Sequence, residues 1–238
     1  MNLAILQARM TSSRLPGKVM APVLGEPMIG RQIERLRRST RIDRLIVATS
    51  QQSSDDALSA YCQSLGLDVV RGALDDVLGR FAAALADHPG AEVVVRLTAD
   101  CPLTDPALID AVIERHQEAG ADYTSNTLGT RTYPHGLDAE VIRAEVLLQA
   151  ARLADDPYER EHVTPYIYRR PEVFRLAGMT RRPSLAQLRW TVDVADDLAF
   201  VRGVYASLYP ADPAFTSEAV VALDPNSSPD PNSSRGRA

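Results

Sequence analysis

Cysteine is almost absent from this chain. Its 238 residues hold only Cys62 and Cys101, far apart and without CxxC spacing, which excludes a disulfide framework and leaves no zinc-ligand signature. Long apolar runs are missing too: none reaches the ~18 residues that a membrane-spanning helix needs. The opening residues carry no basic n-region and only a short apolar run, over 2–6, so no signal peptide is expected and the expected compartment is the reducing cytoplasm. Lysine is the scarcest cation, Lys18 standing alone among 26 Lys+Arg. Against 31 Asp+Glu the formal net charge is −5, the opposite of the basic footprint of a general nucleic-acid binder. No disulfide or metal staple is needed, because a chain of this length buries about 70–75% of its unfolded surface.

The charge that is present is unevenly spread. Residues 1–44 hold nine cations and three acids, a balance of +6, while the remaining 194 residues carry −11. No acid precedes Glu26. The composition, 45% hydrophobic and 24% charged, is that of an ordinary globular protein.

Short apolar runs alternate with amphipathic stretches in the first half. Strands are expected over 2–6, 45–48, 68–70 and 92–97, the last nearly all apolar, as a strand buried on both faces would be. Helices are expected over 28–38, where Ile29, Ile33 and Leu36 recur at helical spacing, over 55–65 capped by Ser54, over 76–86, and over 106–118 between Asp105 and Gly120. Such alternation predicts βαβ units and an α/β fold, a doubly wound, mostly parallel sheet. After Ala121 the rhythm changes. Strands are expected over 122–125 and 137–142, a helix over 144–153, an irregular polar stretch over 155–168, extended pieces over 173–176 and 188–192, and a last helix over 195–208. This half reads as a substrate-side insertion with a dimerisation arm on the same sheet. Residues 224–238, DPNSSPDPNSSRGRA, are too poor in apolar side chains to form a core and are expected to be a disordered tail.

The loop after the first strand, Gln7-Ala8-Arg9-Met10-Thr11-Ser12-Ser13-Arg14-Leu15-Pro16-Gly17-Lys18, concentrates three cations, three small hydroxyls and a Pro-Gly turn. Ligands of open α/β sheets lie outside the carboxyl ends of the strands, where this loop sits. Small residues let backbone N–H groups converge on phosphate oxygens, and the cations neutralise the charge that remains. The loop is neither a Walker loop nor GxGxxG, so those two mechanisms are excluded. By spacing alone it reads equally as a solvated loop.

Two acids stand at comparable places. Asp100 follows Leu97-Thr98-Ala99 at the end of an apolar strand and precedes Cys101-Pro102. It reads as a Mg²⁺ ligand, since that ion takes one or two protein carboxylates beside phosphate oxygens, or as the cap of a turn. Asp193 ends the extended Trp190-Thr191-Val192 and precedes a helix, so it reads as the second ligand or as a helix cap, with Asp196 and Asp197 as helix-start acids. Polar groups also gather over 133–140 and 158–165, a loop-rich region. Loops placed by a rigid sheet carry specificity, and a guanidinium such as that of Arg160 holds a carboxylate bidentately. Tyr133, His135, Asp138, Glu140, Arg160 and His162 are therefore candidate substrate-side residues, although each histidine alone also reads as a solvated or satisfied side chain. Arg80 reaches a nucleotide or pairs with Asp76 one helical turn earlier. The arginine run over 31–44 reads as a solvated helix face, and His88 and His116 as residues of helix ends or polar faces.

The segment ARMTSSRLPGK resembles the signature loop of the cytidylyltransferases that make CMP-activated acidic sugars, CMP-Kdo synthetases and SpsF-type spore coat polysaccharide proteins among them. The resemblance continues in GEPMI (25–29), IVATS (46–50), DDVLGRF (75–81), LTADCPL (97–103) and TVDVADDL (191–198), in the family's order. Met10 and Thr11 replace the glycine-rich start of many nucleotidyltransferases, a lack shared with CMP-Kdo synthetases. The resemblance implies a Rossmann-like nucleotide-diphospho-sugar transferase fold. It implies one nucleotidyltransferase domain over 1–223, with a nucleotide-binding half over 1–120 and an acceptor-binding half over 121–223, forming a homodimer. CTP would lie against Ala8, Arg9, Ser12, Ser13, Arg14, Lys18, Arg80, Thr98 and Asp100. Mg²⁺ would sit on Asp100 and Asp193, and the catalytic set would be Lys18, Arg14, Asp100 and Asp193. The implied reaction is transfer of CMP from CTP to a small acidic acceptor, a 2-keto sugar acid, with release of pyrophosphate, and the substrate-side residues become the acceptor-binding set. Neither nucleic acid nor membrane is an expected partner. The residues themselves leave open another nucleotide, a phosphonate or sugar-phosphate acceptor, and a nucleotide-sugar-dependent glycosyltransferase.

Overall fold

The apolar run at the start of the chain becomes an inner strand of the sheet, β1 (Asn2–Gln7). Its side chains alternate between two cores, Leu3 and Ile5 turning to one, Ala4 and Leu6 to the other, all of them buried. The computed structural model describes residues 1–223, and the tail expected over 224–238 lies outside them. A short antiparallel hairpin of β2 (Pro22–Val23) and β3 (Glu26–Pro27) leads into α1 (Met28–Leu36). Strands and helices then alternate: β4 (Arg44–Ser50), α2 (Asp56–Ser64), β5 (Val69–Gly72), α3 (Val77–Asp87), β6 (Val93–Thr98) and α4 (Pro106–Ala119). The second half contributes β7 (Tyr123–Ser125), β8 (Glu140–Arg143), α5 (Ala144–Leu153), α6 (Pro157–His162), α7 (Pro165–Tyr168), β9 (Leu176–Gly178), α8 (Ala195–Leu208) and α9 (Ser217–Leu223).

Seven strands form one sheet in the order β5-β4-β1-β6-β8-β7-β9. Only β8 runs antiparallel to its neighbours, so the sheet is mostly parallel and doubly wound, as expected. Helices α3 and α5 cover one face, through Phe81 and Leu147 among others. The other face is covered by α1, α2 and α4, through Ile33, Leu58 and Val112. A third core gathers Trp190 with residues of α8 and α9. From β1 the chain winds outward through β4 and β5, then returns to β6 on the other side of β1. The strand order therefore reverses between β1 and β6, whose carboxyl ends, Gln7 and Thr98, are paired in register. Ligand clefts of this fold class open at such a switch point. Among the described residues no helix is long and apolar enough to cross a membrane.

Several expectations are corrected. The stretch over 155–168 is not irregular: Pro157 and Pro165 open α6 and α7, because proline at the first helical position has no N–H to leave unsatisfied. The extended pieces shift or dissolve. Residues Leu176–Gly178 form β9, and 188–192 make only one bridge, between His135 and Arg189. The hairpin and α9 were not foreseen. Ser54 does not cap α2; it lies in a 3-10 turn, and Asp55 takes the N-cap position. The arginine run is a solvated face only in part: Arg37, Arg41 and Arg44 are exposed as expected. Arg31 and Arg35 are buried, stacked on the rings of Tyr209 and Phe215, and Arg35 Nε donates to the Thr104 carbonyl at 2.6 Å, so α1 clamps the end of α8 and the segment beyond it. His116 is likewise buried, 3.0 Å from the Thr124 hydroxyl, and burial lowers its pKa to about 4.

Candidate active site

The loop after β1 closes on the carbonyl of Met10, which accepts from the amides of Ser12 at 3.0 Å and Gly17 at 2.9 Å. Gly17 has φ +73, a left-handed turn open to glycine at no steric cost. The turn brings Lys18 back under the loop. The root of the loop is held by Asp55, which is fully buried. Its Oδ1 accepts from the Met10 amide at 2.7 Å; its Oδ2 accepts from the Thr49 hydroxyl at 3.0 Å, the Ser50 amide at 3.1 Å and the Ser50 hydroxyl. Burial alone would raise the Asp55 pKa, yet these donors together hold it below the ordinary carboxylate value.

Asp100 follows the carboxyl end of β6, and Asp193 lies just before α8. They are brought together by backbone: the Val192 amide donates to the Asp100 carbonyl at 2.8 Å. Asp197, from the first turn of α8, accepts from the amides of Asp193 at 2.6 Å and Val194 at 3.0 Å. It is thus Asp197 that caps the helix, and the carboxylate of Asp193 is left to face the loop. Lys18 Nζ donates to the Val192 carbonyl at 2.6 Å, to Asp193 Oδ1 at 3.0 Å and to Asp100 Oδ2 at 3.5 Å. Arg14 reaches Asp193 Oδ1 at 2.8 Å and Arg189 reaches Oδ2 at 2.9 Å. Burial pushes the Asp193 carboxyl up, but Lys18 first, then Arg14 and Arg189, outweigh it and lower its pKa.

These groups line one cleft of about 320 Å³, bordered by Gln7, Ala8, Arg9, Ser12, Ser13, Arg14, Lys18, Val19, Thr98, Ala99, Asp100, His162 and Asp193. All the residues singled out for the nucleotide are there except Arg80. That guanidinium is buried and donates to the carbonyls of Ala73 and Leu74, so it shapes the turn before α3 and pairs with neither nucleotide cleft nor Asp76. Asp76 is taken by Arg160 in a bidentate pair of 2.9 and 2.8 Å. Arg160 also donates to the carbonyls of Ala151 and Ala154, which fixes α6 to α3 and spends the guanidinium proposed for the acceptor. His162 lines this cleft, apart from the other acceptor candidates, its ring 4.2 Å from that of Tyr158.

Of the remaining acceptor candidates, His135 is tied by its backbone to the segment that leads to Asp193. The His135 amide donates to the Leu188 carbonyl at 2.9 Å, and the Trp190 amide to the His135 carbonyl at 2.7 Å. Gly136, at φ +99, packs so tightly that an added Cβ would sit 2.6 Å from the Thr191 nitrogen. Tyr133 is buried, with its phenol pKa raised by that burial. Asp138 holds Arg131 in a bidentate pair of 2.6 and 2.9 Å. Glu140 is buried, paired with Arg96 on one oxygen and accepting from the Tyr123 hydroxyl at 2.8 Å on the other. The Cys101 thiol is buried, and that burial, then the Asp100 charge, raises its pKa well above the ordinary value. Sequence reasoning missed Asp55, Arg96, Arg131, Arg189 and the capping role of Asp197. Only Arg96 left a visible signal, a charge inside the apolar run 93–98.

With this geometry in place, the chain can be set beside known proteins. A family model described as Cytidylyltransferase matches residues 3–198. The spore coat polysaccharide biosynthesis protein SpsF of Bacillus subtilis is 35% identical over 233 residues, with 94% of each chain covered. A 3-deoxy-manno-octulosonate cytidylyltransferase of Mesorhizobium japonicum is 32% identical over 211 residues, covering 79% of this chain and 84% of its own. Among solved structures, a cytidylyltransferase from Leptospira borgpetersenii superposes with a TM-score of 0.86 at 27% identity, covering 93% of this chain and 92% of the other.

Proposed function

The chain belongs to the cytidylyltransferase family and is a nucleotidyltransferase, and on that premise we propose that it transfers CMP from CTP to an acidic sugar of the 2-keto acid type and releases pyrophosphate. The observation that carries this reading is the convergence of Asp100 and Asp193 on the single ammonium of Lys18, at the wall of a cleft whose other wall is the cationic loop. An acceptor hydroxyl attacks the α-phosphorus in line, and the barrier falls chiefly through positioning and charge stabilisation. Arg9 and Arg14, with side chains 40% and 58% exposed, can turn onto the β- and γ-phosphates, and Lys18 neutralises charge as pyrophosphate departs. No step needs a covalent nucleophile. The similarity to a 3-deoxy-manno-octulosonate cytidylyltransferase supports a sugar acid as acceptor, and the arginines near Asp193 suit an anion.

The donor set fits Mg²⁺. The Asp100 and Asp193 carboxylates both lie within 3.5 Å of the Lys18 ammonium, and Mg²⁺ takes one or two protein carboxylates and completes its shell with water and phosphate oxygens. Bound by Asp100 and Asp193, the ion would polarise the α-phosphate and lower the pKa of the attacking hydroxyl.

The test is a pyrophosphate-release assay across CTP, UTP, ATP and GTP against 2-keto sugar acids, sugar phosphates and phosphonates, with and without Mg²⁺. CTP with a 2-keto sugar acid and Mg²⁺ is the expected productive combination; preference for another nucleotide or a neutral acceptor overturns the reading. Asp100→Ala and Asp193→Ala are expected to abolish turnover while the circular dichroism stays that of wild type. Substantial activity in either variant refutes the metal assignment.

A further inference from the structure

Arg160, the one arginine that the sequence offered to an acceptor's anion, is spent on Asp76, and a different arginine reaches a residue that borders the cleft. Arg96 lies on β6, in register with Glu140 of β8 and Ile5 of β1. One rung nearer the sheet's carboxyl edge, and on the same face, are Gln7 and Thr98, both of which border the cleft. The Arg96 guanidinium is fixed from below, where Nη1 pairs with Glu140 Oε1, while Glu140 Oε2 is held by Tyr123. Toward the cleft it is loosely held. Nη2 reaches Gln7 Oε1 at only 3.4 Å, and the buried Nε makes no hydrogen bond among the described residues. A guanidinium carries five N–H donors in a rigid fork, so most of this fork is unspent. Stability gives little reason to retain the pair, since a buried ion pair is commonly no better than apolar side chains of similar volume.

We propose that Arg96, oriented by Glu140, is the specificity-determining residue that takes the carboxylate of the acceptor, with the Gln7 amide turning aside to admit it. The assignment rests on the reading that the acceptor is a sugar acid. It places the acceptor's acid group below Thr98 and its attacking hydroxyl beside Asp100, on the face of the sheet that α6 and α7 cover.

The experiment compares 3-deoxy-manno-octulosonate with its carboxamide in the CTP-dependent pyrophosphate assay. Arg96→Met is combined with Glu140→Gln, so that no carboxylate is left buried and unpaired. Wild type should favour the acid, and in the double variant the KM for the acid should rise about tenfold or more, as expected for loss of a charge-assisted fork, with the KM for CTP unchanged and the acid-to-amide preference collapsed. Arg96→Lys, which keeps the charge against Glu140 and removes the fork, should raise the acid KM more than the amide KM, narrowing the acid-to-amide preference. Wild-type acid preference in both variants overturns the assignment alone. Turnover by wild type of neutral acceptors only overturns it while leaving cytidylyl transfer standing, and absence of pyrophosphate release from CTP with every acceptor overturns the transfer reading and this assignment together.

Discussion

Asp55 anchors the loop after β1 from a fully buried position, and removing it should loosen both the fold and the nucleotide site. Asp55→Ala deprives the amides of Met10 and Ser50 and the hydroxyls of Thr49 and Ser50 of their acceptor. Each buried group left unsatisfied costs about 1–3 kcal/mol. Because the four share one site and relax together, the expected loss is about 3–5 kcal/mol, below their simple sum. That is a large fraction of the roughly 5–15 kcal/mol that holds a domain together. Asp55→Asn keeps one acceptor oxygen but turns an NH₂ toward another donor, so a loss of about 1.5–3 kcal/mol is expected. The folded-state pKa of Asp55 is depressed, so its contribution is complete above the unfolded value of about 3.9 and is lost as pH falls through the folded value. Urea denaturation of wild type and Asp55→Asn should therefore show a constant gap at neutral pH that narrows only in acid. The KM for CTP should rise in parallel, since Met10 is the root of the loop. A stability loss under about 1 kcal/mol for the alanine variant, or a gap that widens on acidification, refutes the argument.

Lys18→Ala should raise the KM for CTP or lower kcat about tenfold or more, because charge-assisted contacts are worth about 1.5–3 kcal/mol. Lys18→Arg should not rescue it, since a planar fork does not fit where a compact ammonium contacts Val192, Asp193 and Asp100; steady-state kinetics with wild-type constants refute both. Gly136→Ala should lower the melting midpoint and kcat together, because the new Cβ would lie 2.6 Å from the Thr191 nitrogen and push the segment that carries Asp193. A variant with wild-type values in calorimetry and turnover removes that claim. Arg160→Met should destabilise the protein by about 1 kcal/mol through loss of a partly exposed pair and leave acceptor selectivity unchanged. A selective rise in acceptor KM would return Arg160 to the substrate.

The first half was legible because its signals are local. Buried parallel strands need continuous apolar runs, amphipathic helices need apolar residues at helical spacing, and Asp105 and Gly120 mark both ends of α4 as capping chemistry requires. The second half was harder to read. Its prolines mark breaks in most contexts, yet here they begin α6 and α7. The segment 188–192 is apolar enough for a strand, but its side chains fill the third core and its backbone satisfies Asp100 and His135. The burial of Arg31 and Arg35 depends on aromatic rings that arrive from the far end of the chain; nothing in their own helix announces it.

The candidate site divides along the same line. Composition and order alone made the loop ending at Lys18 a candidate for phosphate and the acids ending two extended segments candidates for a metal, because those properties follow from residue type and position after a strand. Which side chains could still meet a ligand was decided by tertiary structure. Arg80 and Arg160 are equal to Arg14 in charge, yet the first is turned by its Nη1 onto two loop carbonyls away from the cleft and the second onto Asp76. Arg96, hidden within an apolar strand, reaches Gln7 at the border of the cleft and keeps its Nε without a hydrogen bond among the described residues. A charge carries no record of its partner in the sequence. Burial and neighbouring donors and acceptors assign that partner, and both come from elements far apart along the chain.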